Sequence, residues 1–273
     1  MAIVNVTPDS FSDGGDNFNV DVDALASSTM ELLDVTGATI VDVGGQSSKP
    51  GAMEVSEEEE LRRTVPMIRA LRSAARTRPL CISIDTYRAR VAAEAVGAGA
   101  DLVNDVSGGT LDRAMLATVA KLGASICLTH MRGTPSTMTQ LTQYPEGIVP
   151  TVARELSARV QAAEAAGIRR WRILVDPGIG FAKTQAQNLE LLRDLHLLRD
   201  WSGLQGLPWL VGPSRKAFIG RITGVAEPRD RIWGTAAAIS AAVAGGADIV
   251  RVHDVAHMAQ VVKMADAIWR HGR

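Results

Sequence analysis

The sequence predicts an α/β fold, specifically a (β/α)8 TIM barrel forming a single domain over residues 1–273, with its active site at the C-terminal ends of the strands. Three observations carry this expectation. A strand–helix quasi-repeat recurs along the chain, eight short apolar runs are spaced for parallel strands, and each run is closed by a polar or ionisable residue or segment.

The quasi-repeat is a glycine, a short apolar run, and then polar residues. It appears in Gly37-Ala-Thr-Ile-Val-Asp42, in Gly99-Ala-Asp-Leu-Val-Asn104, in Gly123-Ala-Ser-Ile-Cys-Leu-Thr-His130 and in Gly246-Ala-Asp-Ile-Val-Arg251. A glycine just past a helix accepts the left-handed backbone that turns the chain into the next strand. Fully apolar runs suit parallel strands buried on both faces. The eight runs lie near 2–6, 39–43, 80–84, 101–104, 125–129, 172–175, 208–211 and 248–252.

Helical patterns separate them. Ser56 and Glu59 read as a capping box with an acidic first turn, and Leu61, Val65, Ile68 and Leu71 then keep one face, with a kink expected at Pro66. After Asp254, residues Met258, Val261, Val262, Ala265, Ile268 and Trp269 fall on one side of a last helix. A doubly wound open sheet is the alternative architecture. No linker or low-complexity tract divides the chain. The first run is very short and meets a motif-like segment at once, as expected of a domain excised from a longer polypeptide.

Composition narrows the function. The chain has 273 residues, enough to bury roughly three quarters of its unfolded surface without staples. Its 29 Lys and Arg balance 30 Asp and Glu for a net charge of -1, which excludes a nucleic-acid coat or a membrane-surface binder. Any bound anion must be gripped by a few placed cations. The two cysteines, Cys81 and Cys127, sit in apolar runs and read as small hydrophobes in a reducing compartment. No run is long enough to span a bilayer, and no leader opens the chain.

The strand ends deliver Asn5, Asp42, Asp85, Asn104 with Asp105, His130, Asp176, Ser214-Arg215-Lys216, and Arg251 with His253. Asp85, Asn104 and Asp176 offer acceptors to a flat, N–H-rich heterocycle. Against that, Asp85 alone could cap a helix, and Asp176 alone could brace the turn at Pro177-Gly178. Lys216, Arg251 and His253 come from the seventh and eighth units, the sector where barrels often bind phosphate. Arg251 and His253 alternate with valines and so share a strand face. Gly180-Phe-Ala-Lys183-Thr184 imitates part of a nucleotide phosphate loop, but the spacing fails. His130 with His253 lacks a third ligand for zinc. His196, His257 and His271 read as surface residues. Two glycine-rich loops, 5–15 and 44–55, read as lids over the mouth.

At these loops the chain resembles dihydropteroate synthase. The resemblance rests on Asn5 to Gly15, Asp85-Thr86, Asn104-Asp105, Asp176-Pro-Gly-Ile-Gly-Phe181, Gly212-Pro-Ser-Arg-Lys216 and Arg251-Val-His253-Asp254, in order along nearly the whole chain. Gly45-Gln46-Ser47 and Asp266-Ala-Ile-Trp269 are most similar to the fungal form, in which this domain ends a multifunctional folate-synthesis polypeptide. The resemblance implies condensation of 6-hydroxymethyl-7,8-dihydropterin pyrophosphate with p-aminobenzoate, assisted by Mg²⁺ and blocked by sulfonamides. It implies a cytoplasmic enzyme, or a mitochondrial one within a eukaryotic multifunctional protein, and a homodimer.

The resemblance also implies roles. Asp85, Asn104, Asp176, Phe181, Lys216 and Arg251 hold the pterin, with Asp176, Lys216, Arg251 and His253 as the catalytic set. Phe11, Ser48, Lys49, Pro50, Ser214 and Ala217 border p-aminobenzoate; Asn5, Ser48, Lys49, Arg251 and His253 take pyrophosphate, with Asn5 on the metal. The chain departs from the family in Ser48-Lys49 where Thr-Arg is usual, in Ala217 where serine is common, and in Thr129 where methionine is common. Lys49 lacks the planar fork of arginine, so altered sulfonamide sensitivity is expected. Identical inhibition of the natural chain and Lys49→Arg would count against this. Two other readings stand beside the synthase: a pterin-binding paralogue without turnover, and a methyltetrahydrofolate-dependent methyltransferase.

Overall fold

The computed structural model describes residues 1–6, 21–46, 54–75 and 79–270. Strands and helices alternate through it: β1 (Ala2–Asn5), α1 (Val22–Thr36), β2 (Ile40–Gly44), α2 (Glu57–Ala74), β3 (Cys81–Asp85), α3 (Ala89–Ala98), β4 (Leu102–Asp105), α4 (Met115–Leu122) and β5 (Ser125–Thr129). There follow α5 (Ile148–Ala165), β6 (Ile173–Asp176), α6 (Gln185–Arg193), α7 (Leu195–Arg199), β7 (Leu210–Val211), α8 (Ala217–Thr223), α9 (Ile232–Ala244), β8 (Ile249–Val250) and α10 (Val255–Trp269). All eight expected strands are present, the last two shorter than their apolar runs.

Strands β1 to β6 pair in parallel in chain order, as do β7 and β8. Parallel bridges Val175↔Trp209 and Ala2↔Val252 join these two sheets at both edges. The Ile3 N–H to Val252 carbonyl bond, 3.0 Å, is one of the links that close the barrel. Each of the four helix-ending glycines of the quasi-repeat takes the left-handed backbone, with φ of +73° at Gly37, +117° at Gly99, +63° at Gly123 and +97° at Gly246.

Strand pleating divides the core in two. Val41, Val43, Ile82, Ile84, Val103, Ile126, Leu128, Ile173, Val175 and Val211 point outward to the helices, in one cluster with Leu33, Ile68, Leu156 and Ile239. The alternate residues Cys81, Leu102, Cys127, Leu174, Leu210 and Ile249 meet Met1 in a separate apolar cluster inside the barrel. Both cysteines belong to this cluster, and both are free thiols. Two residues beyond Cys81, Leu102, Cys127, Leu174 and Ile249 the inward position is polar, at Ser83, Asn104, Thr129, Asp176 and Arg251; Asp42 and Ser83 are register partners, as are Asp85 with Asn104 and Thr129 with Asp176. The apolar layer seals the bottom of the barrel and the polar layer opens the top.

The helices modify two expectations. Ser56 caps α2 by accepting from the Glu59 N–H, but the Glu59 carboxylate turns to Arg62 and Arg63 rather than completing the box. Those fork-to-carboxylate bonds outcompete a neutral backbone donor. The helix continues through Pro66, which sits on its exposed face. In α10, Met258 and Ala265 are buried and Val261 and Val262 pack against the core, whereas Ile268 and Trp269 are more than half exposed. The expected single buried face therefore ends a turn early. His196 and His257 are exposed, as expected; His271 lies outside the described residues.

Candidate active site

Arg251, immediately after β8, organises the mouth. Its Nε donates to Asp42 Oδ2 at 2.5 Å and its Nη2 to Asp85 Oδ2 at 2.6 Å, so one guanidinium spans the ends of β2 and β3. Asn104 Nδ2 donates to the same Asp42 oxygen at 2.9 Å. The amide nitrogen of Asn104 is thus committed to Asp42. Asp85 caps no helix, since the α3 N-cap is Arg88. Burial works against the Arg251 cation, yet Asp42 and Asp85 outweigh it and hold its pKa above the usual arginine value. Burial in turn pushes the Asp85 carboxyl up, against the pull of Arg251.

Asp176 ends β6 and does two things. Its Oδ1 braces the following turn by accepting from Gly178 N–H at 2.6 Å, and its carboxyl also sits in the field of Lys216, Lys183 and Arg251. Burial raises it to about 6 against those opposing groups. The turn brace at Pro177-Gly178 is therefore present, and the same carboxylate stands among the cations of the mouth. Asp105 differs: it accepts from the Ser107 N–H and hydroxyl and from the Gly109 N–H, which spends it on its own loop.

Lys216 precedes α8 and lies with Nζ 3.9 Å from the centroid of the Phe181 ring, a cation–π contact. A Cβ on Gly180 would fall 2.9 Å from Lys216 Cδ, so the lysine crosses the loop where only glycine gives it room. Burial, then repulsion from Arg251, lowers its ammonium to about 8. The loop behind it is pinned by Arg215, whose Nε and Nη2 grip both oxygens of Asp254 at 3.0 and 2.5 Å. Ser214 Oγ lies 3.1 Å from His253 Nδ1 and accepts from the His253 N–H. Burial, then the nearby Arg215 and Arg251, drops His253 to about 3, so its imidazole is neutral at pH 7.

Asp85, Asn104, Asp176, Phe181, Lys216, Arg251, Ser214 and His253 thus lie at the C-terminal ends of the strands, as does Asn5 on β1. A Cβ on Gly44 would fall 3.4 Å from Asn5 Oδ1 and 3.8 Å from Asp85 Oδ2, which sets Asn5 beside the carboxylates. Ala217 is exposed at the start of α8. Phe11, Ser48, Lys49 and Pro50 lie outside the described residues. His130 is buried between Glu155 and Lys183, at 2.8 and 2.9 Å from its two ring nitrogens.

Two groups had no role in the sequence reading. Asp42 stood among the rim residues without a task; its parity with Gly44 and its place between Val41 and Val43 were the available signal for an inward-facing carboxylate. Lys183 was set aside with the false phosphate loop, and its partner His130 is 53 residues away.

Comparison with known proteins agrees with this arrangement. The family model for pterin binding enzymes matches residues 1–253. Folic acid synthesis protein fol1 of Schizosaccharomyces pombe is 53% identical over 98% of this chain, and the match covers 36% of that protein. This chain therefore spans about a third of its fungal relatives. Dihydropteroate synthase of Synechocystis is 50% identical, over 99% of this chain and 90% of that one. A crystal structure of dihydropteroate synthase from Clostridium difficile, determined in the presence of pteroic acid, superposes with a TM-score of 0.87 at 40% identity, covering 98% of this chain and 95% of the other. With the polar ring of the barrel mouth and these likenesses taken together, the chain belongs to the pterin-binding enzymes, among the dihydropteroate synthases.

Proposed function

We propose that this chain is a folate-biosynthesis transferase that joins 6-hydroxymethyl-7,8-dihydropterin pyrophosphate to p-aminobenzoate, yielding 7,8-dihydropteroate and pyrophosphate. The observation that carries the reading is the convergence of Asp85, Asn104, Asp176, Lys216 and Arg251 above a sealed apolar layer. A pterin edge is rich in N–H donors and needs acceptors, which the Asp176 carboxylate and Asn104 Oδ1 supply. Lys216 donates to a ring acceptor, and the Arg251 plane, fixed by two carboxylates, lies against the ring. Phe181 completes the pocket beneath Lys216.

In the reaction the bond between the pterin methylene carbon and the pyrophosphate oxygen breaks, and its electron pair leaves with pyrophosphate. Arg251 and the neutral His253 face that developing charge as preorganised donors. The ionised Asp176 favours the transient cation on the pterin side. The amine lone pair of p-aminobenzoate then forms the new C–N bond, and the surplus amine proton goes to solvent. The aromatic amine is already neutral near pH 7, so no side chain is assigned as general base.

Mg²⁺ is the metal this reading calls for. Among the described residues no group of three or more His, Cys, Asp or Glu forms a metal cage. Asn5 offers one amide oxygen at the mouth, which fits an ion completed by pyrophosphate oxygens and water, the usual habit of Mg²⁺. When bound, the ion neutralises charge on the leaving pyrophosphate. Ser48 and Lys49 join Arg251 and His253 around pyrophosphate in this reading, and Phe11, Pro50, Ser214 and Ala217 border p-aminobenzoate, the position where sulfonamides compete.

Residues 1–273 are read as one catalytic barrel, alone or fused to other folate-pathway domains. A cytoplasmic location is proposed, or a mitochondrial one within a multifunctional protein; among the described residues no helix is long and apolar enough to cross a membrane. A homodimer is proposed through the outer helices, supported by the exposed Trp233 on α9 and Met264 and Ile268 on α10. Pyrophosphate release with Mg²⁺, with and without p-aminobenzoate, tests the activity. Release that depends on the amine and yields dihydropteroate supports it; pterin binding without turnover would install the paralogue reading instead.

A further inference from the structure

We infer that Lys183 is a positioning residue of the pterin site, a buried amine that locks the Asp176–Phe181 turn onto the end of β5. The inference rests on the pterin reading above. It begins with a chain of contacts behind the site. Arg132 grips the Glu155 carboxylate, Glu155 Oε2 meets His130 Nε2 at 2.8 Å, and Lys183 Nζ meets His130 Nδ1 at 2.9 Å. The Glu155 carboxylate can only accept, so the imidazole proton sits on Nε2 and donates to it, which leaves Nδ1 to accept from Lys183. Burial, then the charge of Lys183, lowers the His130 pKa to about 3, which agrees with a neutral ring.

The other two bonds of Lys183 go to backbone. Nζ donates to the carbonyl of Phe181 at 2.9 Å and to that of His130 at 3.3 Å. Nζ thereby meets three acceptors, two on the β5 end and one on the loop after β6. Such complete pairing is what lets a lysine remain in the interior. The segment it holds is strained. Gly178 has φ of +70° with its Cα against the His130 carbonyl, where a Cβ would fall only 1.9 Å away. Ala182, not a glycine, has φ of +50°, and its carbonyl accepts from Tyr144 Oη at 2.9 Å. A non-glycine left-handed residue persists only where surroundings over-determine it.

The strained segment carries the site. Asp176 braces Gly178 at its start, and Phe181 presents its ring to Lys216. Lys183 therefore sets where the acceptor carboxylate and the ring floor stand, without touching the pterin itself. Burial pushes the Lys183 amine well below the usual lysine range, and the nearby Asp176 carboxylate opposes that shift.

The test is direct titration of a 6-hydroxymethylpterin, followed by its fluorescence, with the natural chain, Lys183→Met and Tyr144→Phe, alongside KM for both substrates. Lys183→Met should weaken pterin binding about tenfold or more, as for buried acceptors left without their donor, and raise KM for pterin pyrophosphate. KM for p-aminobenzoate at saturating pterin substrate should hold. Tyr144→Phe, which keeps the ring and removes one donor to Ala182, should move pterin binding the same way by a smaller factor, and it stands as the test if Lys183→Met does not fold. Unchanged pterin affinity in the folded variants overturns the inference, because a merely structural loss lowers the amount of active protein and not the affinity of what remains. A natural chain that binds no pterin overturns the functional reading itself, a result read before any variant is compared.

Discussion

Arg251 and Asp42 form the innermost ion pair of the mouth, with Nε 2.5 Å from Oδ2 and Asp42 fully buried. Asp42 also receives the Asn104 amide, so one carboxylate orients two of the groups assigned to the pterin. Buried pairs of this kind add little net stability, but losing one partner leaves the other charged and alone. Asp42→Asn should therefore cost about 3 kcal/mol of stability and lower kcat/KM on the order of 100-fold. Thermal melts and pyrophosphate-release kinetics check both. A variant with normal kinetics would show that Asp85 alone can orient Arg251.

The pH profile follows from two opposed shifts. Burial lifts Asp176 to about 6, so its carboxylate forms only above that pH. Burial, then Arg251, lowers Lys216 to about 8, so its ammonium is lost above that pH. If both charges serve the free enzyme, kcat/KM for the pterin substrate rises through about 6 and falls beyond about 8. His253, neutral above about 3, adds no limb in that range. Burial also pushes the Asp85 carboxyl up into this range, so Asp176→Asn should lower the plateau and leave the acidic limb to Asp85 alone; an acidic limb unchanged by this substitution would assign it wholly to Asp85.

Two glycines with nearly equal backbone angles separate strain from collision. Gly178 and Gly206 have φ of +70° and +75°. A Cβ at Gly206 would meet nothing within 4 Å, whereas one at Gly178 would fall 1.9 Å from the His130 carbonyl oxygen. Gly206→Ala should cost about 1–2 kcal/mol, the price of a left-handed alanine. Gly178→Ala should cost several times that and release the turn that carries Asp176. Comparable melting temperatures for the two variants would refute the close approach.

What could be read from the sequence follows the range of each interaction. The eight strands were legible because burial on both faces leaves uninterrupted apolar runs, and the helix ends because left-handed closure selects glycine. Asp85, Asn104, Asp176 and Arg251 were legible because each closes such a run. Asp42 was visible but had no role, since its meaning depends on Arg251, 209 residues away. Glu155 was invisible for a related reason: it lies mid-helix among ordinary charges, and only the packing of α5 against β5 brings it to His130. Ile268 and Trp269 share a side with Met258 and Ala265 yet are exposed, because helical periodicity names a face without saying where the core ends.

The Arg215–Asp254 pair gives a last prediction. Arg215 has φ of +61°, a left-handed arginine, and it is held there from three sides. Its guanidinium grips both Asp254 oxygens, its N–H donates to Thr235 Oγ1 at 3.2 Å, and its carbonyl accepts from Arg231 Nη1 at 2.9 Å. The residue on one side is Ser214, bonded to His253, and on the other is Lys216. The strain is thus confined to the one residue that sets the direction of two site groups. Asp254→Asn keeps the shape and one acceptor but loses the charge and the second oxygen of the fork. Stability should fall by about 1–3 kcal/mol. Because the Gly212–Lys216 loop then relaxes toward an unstrained backbone, kcat/KM should fall by about tenfold, with the loss in both the Lys216 and His253 functions. Combining Asp254→Asn with Lys216→Met should cost less than the sum of the two separate losses, since a displaced lysine has less left to lose. Additive losses in that cycle would mean that Asp254 supports the fold alone and leaves the aim of Lys216 untouched.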